Sequence, residues 1–477
     1  FLVGGAIRDA LQGKTTHDLD FISDKDIRST ARQIANRLNG AFYMLDDIRN
    51  TARVIVHRPE KKPINLDFAT MQHGGIEADL RSRDFTINAM AFDLETQQMI
   101  DPLHGVKDLH QKRLVACSPT SFSDDPLRIL RGIRISLEIP AKFEAQTIEA
   151  MRKSAHLLSN TSPERQRDEL FRILNGKKVN SAFRIMDHIG VLETLLPELH
   201  QSKSLQPQKP GLPDLWEGSL ALMRELELIL DIIVGKRSKG NGENIKLGLI
   251  VLQLGQFRFQ LEDHFAKALN PNRTIRALIL FASIFHQIGK TQSLQDERSN
   301  EQSFSTDNEI GSQIIENRAK LLALSQVEVK RLKTIIHNQS ALPMMTDITS
   351  EKQPTKRAIY RFFQGTGEAG IDVCMISLAD TLAGYSSSFE QDRWGSKLVI
   401  CRHLFDAWWN KKNEMIEPSR FLSGNDLQEE LDLLEGPIIG MLLEKIREEQ
   451  AIGNIKDRSE ALAYAKDTIK LVKPPFI

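Results

Sequence analysis

Cysteine is scarce: Cys117, Cys374 and Cys401 are the only three in 477 residues. They are far apart, odd in number and without metal-ligand spacing. This excludes a disulfide framework or a cysteine-based zinc site, and it fits a reducing, cytoplasmic setting with all three as packing residues. Net charge is also missing, with 63 lysines and arginines against 63 aspartates and glutamates, so any nucleic-acid contact has to be a local patch. No apolar run has bilayer length. The longest, Ala277–Phe285, is about half of the ~20 residues a span requires, which predicts no membrane association. No secretory signal opens the chain, and no internal repeat runs along it. The first residue is Phe1, set against a glycine pair, which predicts that the natural start precedes it and would carry any targeting segment.

What is present is a multidomain chain of ordinary globular composition, 41% hydrophobic and 26% charged, too long for a single hydrophobic core. Runs rich in β-branched and aromatic residues are confined to the first 115 or so: Phe1 to Val3, Leu19 to Ile22, Ala41 to Leu45, Arg53 to His57 and Ile64 to Phe68. These predict one small mixed sheet. Between them Ile27, Ala31, Ile34, Ala35 and Leu38 recur at helical spacing, and beyond Ser123 nearly every segment reads as amphipathic helix. The fold class expected is α+β, a sheet-bearing head followed by helices. The proline-bearing stretch Gln201–Pro213 marks a boundary, and the polar stretch Gly235–Asn244 reads as a surface loop. The expected divisions are 1–115, 116–200, 201–395 and 396–477.

The first constellation with chemistry in it is Gly4-Gly5-Ala6-Ile7-Arg8-Asp9, followed after Gly13-Lys14 by Asp18-Leu19-Asp20-Phe21. Residues i and i+2 of a strand share a face, so Asp18 and Asp20 present two carboxylates side by side. Such a pair repels itself unless cations sit between the oxygens. Magnesium favours oxygen ligands shared with substrate phosphates, and two such ions stabilise both an attacking hydroxyl and a leaving pyrophosphate. The glycine pair ends a strand and opens a helix, where backbone N–H groups approach a triphosphate unobstructed. Arg8 is placed to neutralise phosphate. Either half alone is usually a surface turn; the combination at this spacing is far more specific.

The run LVGGAIRDALQGKTTHDLDF resembles the opening motif of the DNA polymerase β-like head in bacterial tRNA nucleotidyltransferases and poly(A) polymerases, the CCA-adding enzyme type. Further motifs follow in the family's order. Leu80–Asp93 is similar to the ribose-selecting segment, Asp101–Gly105 to the hinge between head and neck, Asp124–Arg134 to the nucleobase-reading helix, and Ser162–Leu170 to the helix that braces it. The resemblance implies that Gly4, Gly5 and Arg8 meet the triphosphate, that Asp18 and Asp20 hold Mg2+, and that Arg83, Asp84 and Asn88 discriminate ribose. It sets Asp67 where the wider superfamily has a third acidic residue. The reaction implied is attack of an RNA 3′-hydroxyl, at a tRNA 3′ end, on the α-phosphate of CTP; the motifs leave ATP open.

The base-reading chemistry follows from the residues themselves. Pro126 suits a first helical turn capped by Ser123 or Asp124, with Asp125 and Arg128 neighbouring on one face. Cytosine and adenine share an amino donor beside a ring-nitrogen acceptor, whereas uracil and guanine offer a carbonyl and an N–H there. A carboxylate and a guanidinium side by side therefore favour C and A, by about 1–3 kcal/mol for a good bidentate match. An ordinary helix ion pair is the plain alternative. Arg131 and Arg134 continue along the helix toward triphosphate or RNA backbone.

From about Leu205 to Ser388 the chain resembles the HD phosphohydrolase domain appended to many enzymes of this family, with ligands replaced: Gly218 and Asn308 stand where histidines are expected and Gln287 where the defining aspartate belongs. His286, His337 and Asp380 remain. A structural or RNA-contacting remnant is expected. The same head motifs serve CC-adding, complete CCA-adding and poly(A)-adding enzymes. The short stretch Ala69–Ser82 between Phe68 and Arg83 has no room for the Arg- and Pro-containing loop of CCA- and A-adding members, which predicts addition of CMP only. An HD-type phosphohydrolase and an inactive tRNA-binding protein are the alternatives of other classes.

Overall fold

In the computed structural model the described residues are 1–48, 50–59, 61–71, 74–205, 214–234, 245–291, 304–342, 345, 353–384 and 391–471. The expected surface loop Gly235–Asn244, the part of the expected linker beyond Leu205, and residues 72–73 of the short connector lie outside them. The chain divides into two compact units, Phe1–Pro197 and Glu198–Ile477. Among the described residues no helix is long and apolar enough to cross a membrane.

The first unit is built on a seven-stranded mixed sheet. Its strands are β1 (Leu2–Val3), β2 (Asp18–Ser23), β3 (Ala41–Asp46), β4 (Thr51–Arg58), β5 (Lys61–Thr70), β6 (Ala91–Phe92) and β7 (Met99–Ile100), in the order β3-β4-β5-β2-β1-β6-β7. Within this sheet only β2 and β5 pair in parallel. The two-residue strands β6 and β7 are additions to the sequence expectation. Helix α1 (Gly5–Leu11) leaves β1 directly through Gly4, whose φ of 76° is a left-handed conformation that glycine adopts without a Cβ penalty. Helix α2 (Ile27–Leu38) is capped by Asp26, which accepts from Ser29 N, and buries Ile27, Ala31 and Ala35 on one stripe. That stripe packs on one sheet face, against Ala52, Val54, Leu66 and Phe68, with the alternate residues Phe42 and Met44 beside them. The other face of β2, β5 and β4 is left for chemistry.

Helix α3 (Ile76–Arg81) lies between β5 and β6, and beyond β7 the chain becomes helical: α4 (Gly105–His110), α5 (Ser121–Asp124), α6 (Leu127–Glu138), α7 (Ala145–Ser154), α8 (Pro163–Leu174) and α9 (Val179–Ile189). The Asp101 carboxylate accepts from Gly105 N and Val106 N and so starts α4. A short parallel pair, β8 (Arg113–Leu114) with β9 (Lys142–Phe143), interrupts the helices. Helix α6 buries Leu127, Ile129, Leu130, Ile133 and Ile135. At Gly132 it meets the buried Phe85 ring so closely that a β-carbon would lie 2.4 Å from Phe85 Cζ. Phe85 also packs on Phe122 and Phe143.

Among its described residues the second unit is helical apart from one small antiparallel ribbon, Ala268–Asn270 with Arg273–Thr274. Its core includes the helices Leu215–Ile233, Ile275–Ile284 and Gly370–Gly384. A charge network crosses it. Asp372, fully buried, accepts from Arg331 Nε at 2.6 Å and lies 2.8 Å from His264 Nε2, while Arg331 Nη1 donates to Glu368 at 2.9 Å. Burial alone would raise the Asp372 carboxyl, but the Arg331 guanidinium and His264 outweigh it and hold the group below the usual aspartate range. Cys374 and Cys401 are buried, Cys117 is half-buried, and all three are free thiols.

Candidate active site

The sequence residues meet in one open cleft of about 490 Å³ in the first unit, lined by Gly4, Gly5, Arg8, Asp18, Asp20, Arg83, Asp84, Asn88, Arg128, Arg131 and Arg134. Four separated segments supply these groups. Asp125 and Asp67 do not line it. The sequence reading missed Asp9, Thr16, Asp79 and Ser82, which do.

Strand β2 carries Asp18 and Asp20 on the face opposite α2, both open to solvent. Parallel pairing sets Asp18 beside Asn65 and Asp20 beside Asp67. Asn65 Nδ2 donates to Asp18 Oδ1 at 2.7 Å. Asp20 opens to the cleft but is enclosed by protein on its other sides, and this partial desolvation, followed by repulsion from Asp67, pushes its carboxyl above the usual range. The excess of negative charge is one that a cation would relieve. Each oxygen of Asp67 accepts a 2.7 Å bond from Arg53, through Nε and Nη2. That salt bridge commits the acid suggested as a third ligand to a guanidinium. Alternation along β4 was the available signal for Arg53, since only a paired register reveals which acid it faces. Among the described residues no group of three or more His, Cys, Asp or Glu side chains is arranged to hold a metal ion. The fit is therefore to two carboxylates, Asp18 and Asp20, with the remaining oxygen ligands coming from substrate, a donor set that suits a hard divalent cation.

The glycine turn brings backbone close to this pair. A β-carbon at Gly4 would lie 3.1 Å from Arg83 Nη1 and 3.6 Å from Asp20 Oδ2. Arg8 Nη1 donates to Asn88 Oδ1 at 2.8 Å, and Asn88 Nδ2 donates to Asp84 Oδ1 at 3.1 Å. The same Asp84 oxygen accepts from Phe85 N, and its other oxygen is 3.5 Å from Arg131 Nε. Arg8, Asn88 and Asp84, the groups expected to face phosphate and ribose, are thereby linked in one chain of hydrogen bonds. Arg83 pairs with buried Asp79, 3.2 Å away, and not with Asp84.

On the neck side, neither Ser123 nor Asp124 caps α6. Both belong to α5, and Asp124 accepts instead from Thr120 Oγ1. Asp125 sits extended before Pro126, and its own carboxylate accepts from Leu127 N at 3.3 Å. Arg165 on α8 donates to both Asp125 oxygens, at 3.0 and 3.3 Å. Arg128 donates to the carbonyls of Ser82 at 2.9 Å and Ser121 at 3.2 Å. Acid and base are thus held apart here by separate partners. Arg134 bridges Glu138 and Glu169; burial opposes its charge, but the two carboxylates more than offset this and raise it.

In the second unit the residues expected to remain from a metal site lie beside other side chains. His286 Nε2 is 3.8 Å from Asp380, and His337 pairs with Glu309 at 3.1 Å. The Asn308 amide donates to Ser340 Oγ at 3.0 Å and accepts from Gln339 at 2.6 Å, so it is tied into the structure. Gly218 is buried inside a helix.

Comparison with known proteins finds likenesses along the whole chain. Residues 1–115 match the family model described as the poly A polymerase head domain, and residues 142–203 match the probable RNA and SrmB-binding site of polymerase A. A CC-adding tRNA nucleotidyltransferase of Geobacter sulfurreducens is 26% identical over 99% of this chain and 93% of its own. An A-adding tRNA nucleotidyltransferase of Deinococcus radiodurans is also 26% identical, over 98% and 94%. The fold is shared with the Thermotoga maritima CCA-adding enzyme complexed with tRNA, at a TM-score of 0.56 and 20% identity over 98% of this chain and 90% of that one. With the head, the ordered motifs and the full-length relatives in agreement, the chain belongs to the family of bacterial tRNA nucleotidyltransferases and poly(A) polymerases, metal-dependent enzymes of the CCA-adding type.

Proposed function

We propose that this protein extends the 3′ end of tRNA with CMP residues from CTP, without a nucleic-acid template, and stops before the terminal AMP. The observation that carries the transferase reading is the convergence of Asp18 and Asp20 with Arg8, Arg83, Arg128 and Arg131 in one cleft. Asp18 and Asp20 would hold Mg2+, which supplies charge stabilisation at the reacting phosphate. Arg8 and the open backbone at Gly4 and Gly5 bind the triphosphate. Asp84, oriented by Asn88 and Phe85 N, accepts from a ribose hydroxyl. Arg128 and Asp125 read the base edge, and since each has a partner now, reading requires Asp125 to turn from Arg165 and Arg128 to give up a carbonyl.

The CMP-only specificity is supported by a short connector. Strand β5 continues to Thr70 and α3 begins at Ile76, so residues 71–75 are all that link them, two of these lying outside the described residues. A segment of that length offers no lever to move Asp125 and Arg128 toward adenine. The test is a tRNA ending at its discriminator base, given CTP and ATP together, with product ends sequenced. A CC end is expected. A CCA end overturns the CMP-only reading, and a long A tail assigns poly(A) activity.

A further inference from the structure

We infer that the open face of β5, β4 and β3 is the track for the last unpaired nucleotides of the acceptor RNA, with Tyr43 as a stacking platform and Arg53 as a phosphate contact. The inference rests on the transferase reading above and adds where the acceptor lies.

Register carries it. Tyr43 pairs with Arg53, Arg53 with Asp67, and Asp67 with Asp20, so the four residues form one row across four adjacent strands. Directly paired residues share a face, and this is the face opposite α2. Strands lie about 4.8 Å apart, which puts Tyr43 roughly 14 Å from Asp20, the length of about four stacked nucleotides and of fewer extended ones.

Topology decides which substrate uses that side. Gly4 and Gly5 follow β1, which flanks β2 on one edge, so the triphosphate cleft opens on the β1 side. In an in-line displacement the attacking hydroxyl arrives opposite the leaving pyrophosphate. The other flank of β2 is β5, then β4, then β3. Neither Tyr43 nor Arg53 lines the nucleotide cleft.

The chemistry of the row suits a single strand. Tyr43 is 53% exposed on a sheet face. A guanidinium has five N–H donors, and the Asp67 bonds use two of those on Arg53, leaving others for a phosphate oxygen. Base stacking tolerates any base, as an enzyme acting on many tRNAs requires.

The test is steady-state kinetics of Tyr43→Ala and Tyr43→Phe with CTP and a tRNA that ends one C beyond its discriminator base, so that two unpaired nucleotides are available to the track, with melting curves as a folding control. For Tyr43→Ala, KM for tRNA is expected to rise about tenfold, the loss of one stacked base, while KM for CTP stays unchanged. Tyr43→Phe should restore it. Tyr43→Ala should also bind full-length tRNA more weakly than the unaltered protein does, with the difference vanishing for a tRNA trimmed of its unpaired 3′ nucleotides. A KM for tRNA within twofold of the unaltered protein overturns the track and leaves the transferase reading standing. A rise in KM for CTP, or a changed oligomeric state with normal KM for tRNA, overturns it as well. If the unaltered protein incorporates no CMP, the transferase reading itself has failed, whatever Tyr43 does.

Discussion

The cleft of the first unit and the charge network of the second use the same residue types to opposite effect. In the cleft, Asp18 and Asp20 share a strand face with Asp67 alongside, and Asp20 carries the cost as a raised carboxyl. In the network, Asp372 is more deeply buried yet its carboxyl is depressed, because Arg331 and His264 satisfy it. Burial alone does not separate function from structure. At the cleft, burial and the neighbouring Asp67 outweigh Arg83 and Arg131 and leave Asp20 raised; in the network, pairing is complete away from solvent.

Asp18→Ala and Asp20→Ala should each reduce CMP transfer by about a thousandfold or more, since the cation chemistry depends on both, with melting unchanged or slightly higher as repulsion is relieved. Radiolabelled CTP incorporation beside a thermal melt measures both, and near-normal transfer by either variant would remove the metal assignment.

The reverse outcome belongs to the network. Asp372→Asn leaves Arg331 charged and poorly paired in the core and should cost about 3–5 kcal/mol of stability, read by denaturant unfolding. Its sign with pH follows from the depressed folded carboxyl. The Asp372 contribution is complete above the unfolded aspartate range and is lost as pH falls through the folded value. The stability gap between the unaltered protein and the variant should therefore narrow in acid; a gap independent of pH would show that the charge of Asp372 is not what matters.

His286 and Asp380 retain the residue types of a metal site, but Asn308 is tied to Ser340 and Gln339 and Gly218 supplies no ligand. Purified protein with Mg2+ or Mn2+ should show no phosphodiesterase or phosphatase activity above background, and His286→Ala should leave CMP transfer within about twofold, the usual range for a substitution remote from the reacting groups. Hydrolysis that disappears in His286→Ala would make the second unit a working enzyme.

Much of this arrangement was legible in the sequence because its signals are local. The alternation that puts Asp18 and Asp20 on one face, the glycine pair at a strand end and the Ile27-Ala31-Ala35 stripe each need only a few neighbouring residues. The rest depended on pairing between distant segments. Nothing near Asp67 says that Arg53 will face it, and nothing near Asp125 says that Arg165 will hold it, since strand register and helix packing settle both. Strands β6 and β7 were missed because two residues carry no periodicity. The cap of α6 was misassigned because Ser123, Asp124 and Asp125 are all competent cap residues, and the short turn α5 uses up the first two.

Gly132 gives the nucleotide cleft a fixed gauge. Its missing β-carbon leaves no clearance to the Phe85 ring, so α6 can rest no closer to the ribose segment and an alanine there would force it outward. Phe85 directly follows Asp84, and Gly132 directly follows Arg131, so one contact calibrates the distance between Asp84 and the arginine-bearing helix. On the base-reading role proposed for that helix, a methyl group at this point would widen the site without altering a residue that lines it, and base preference would be tuned by the thickness of a seam as well as by the pocket's own side chains.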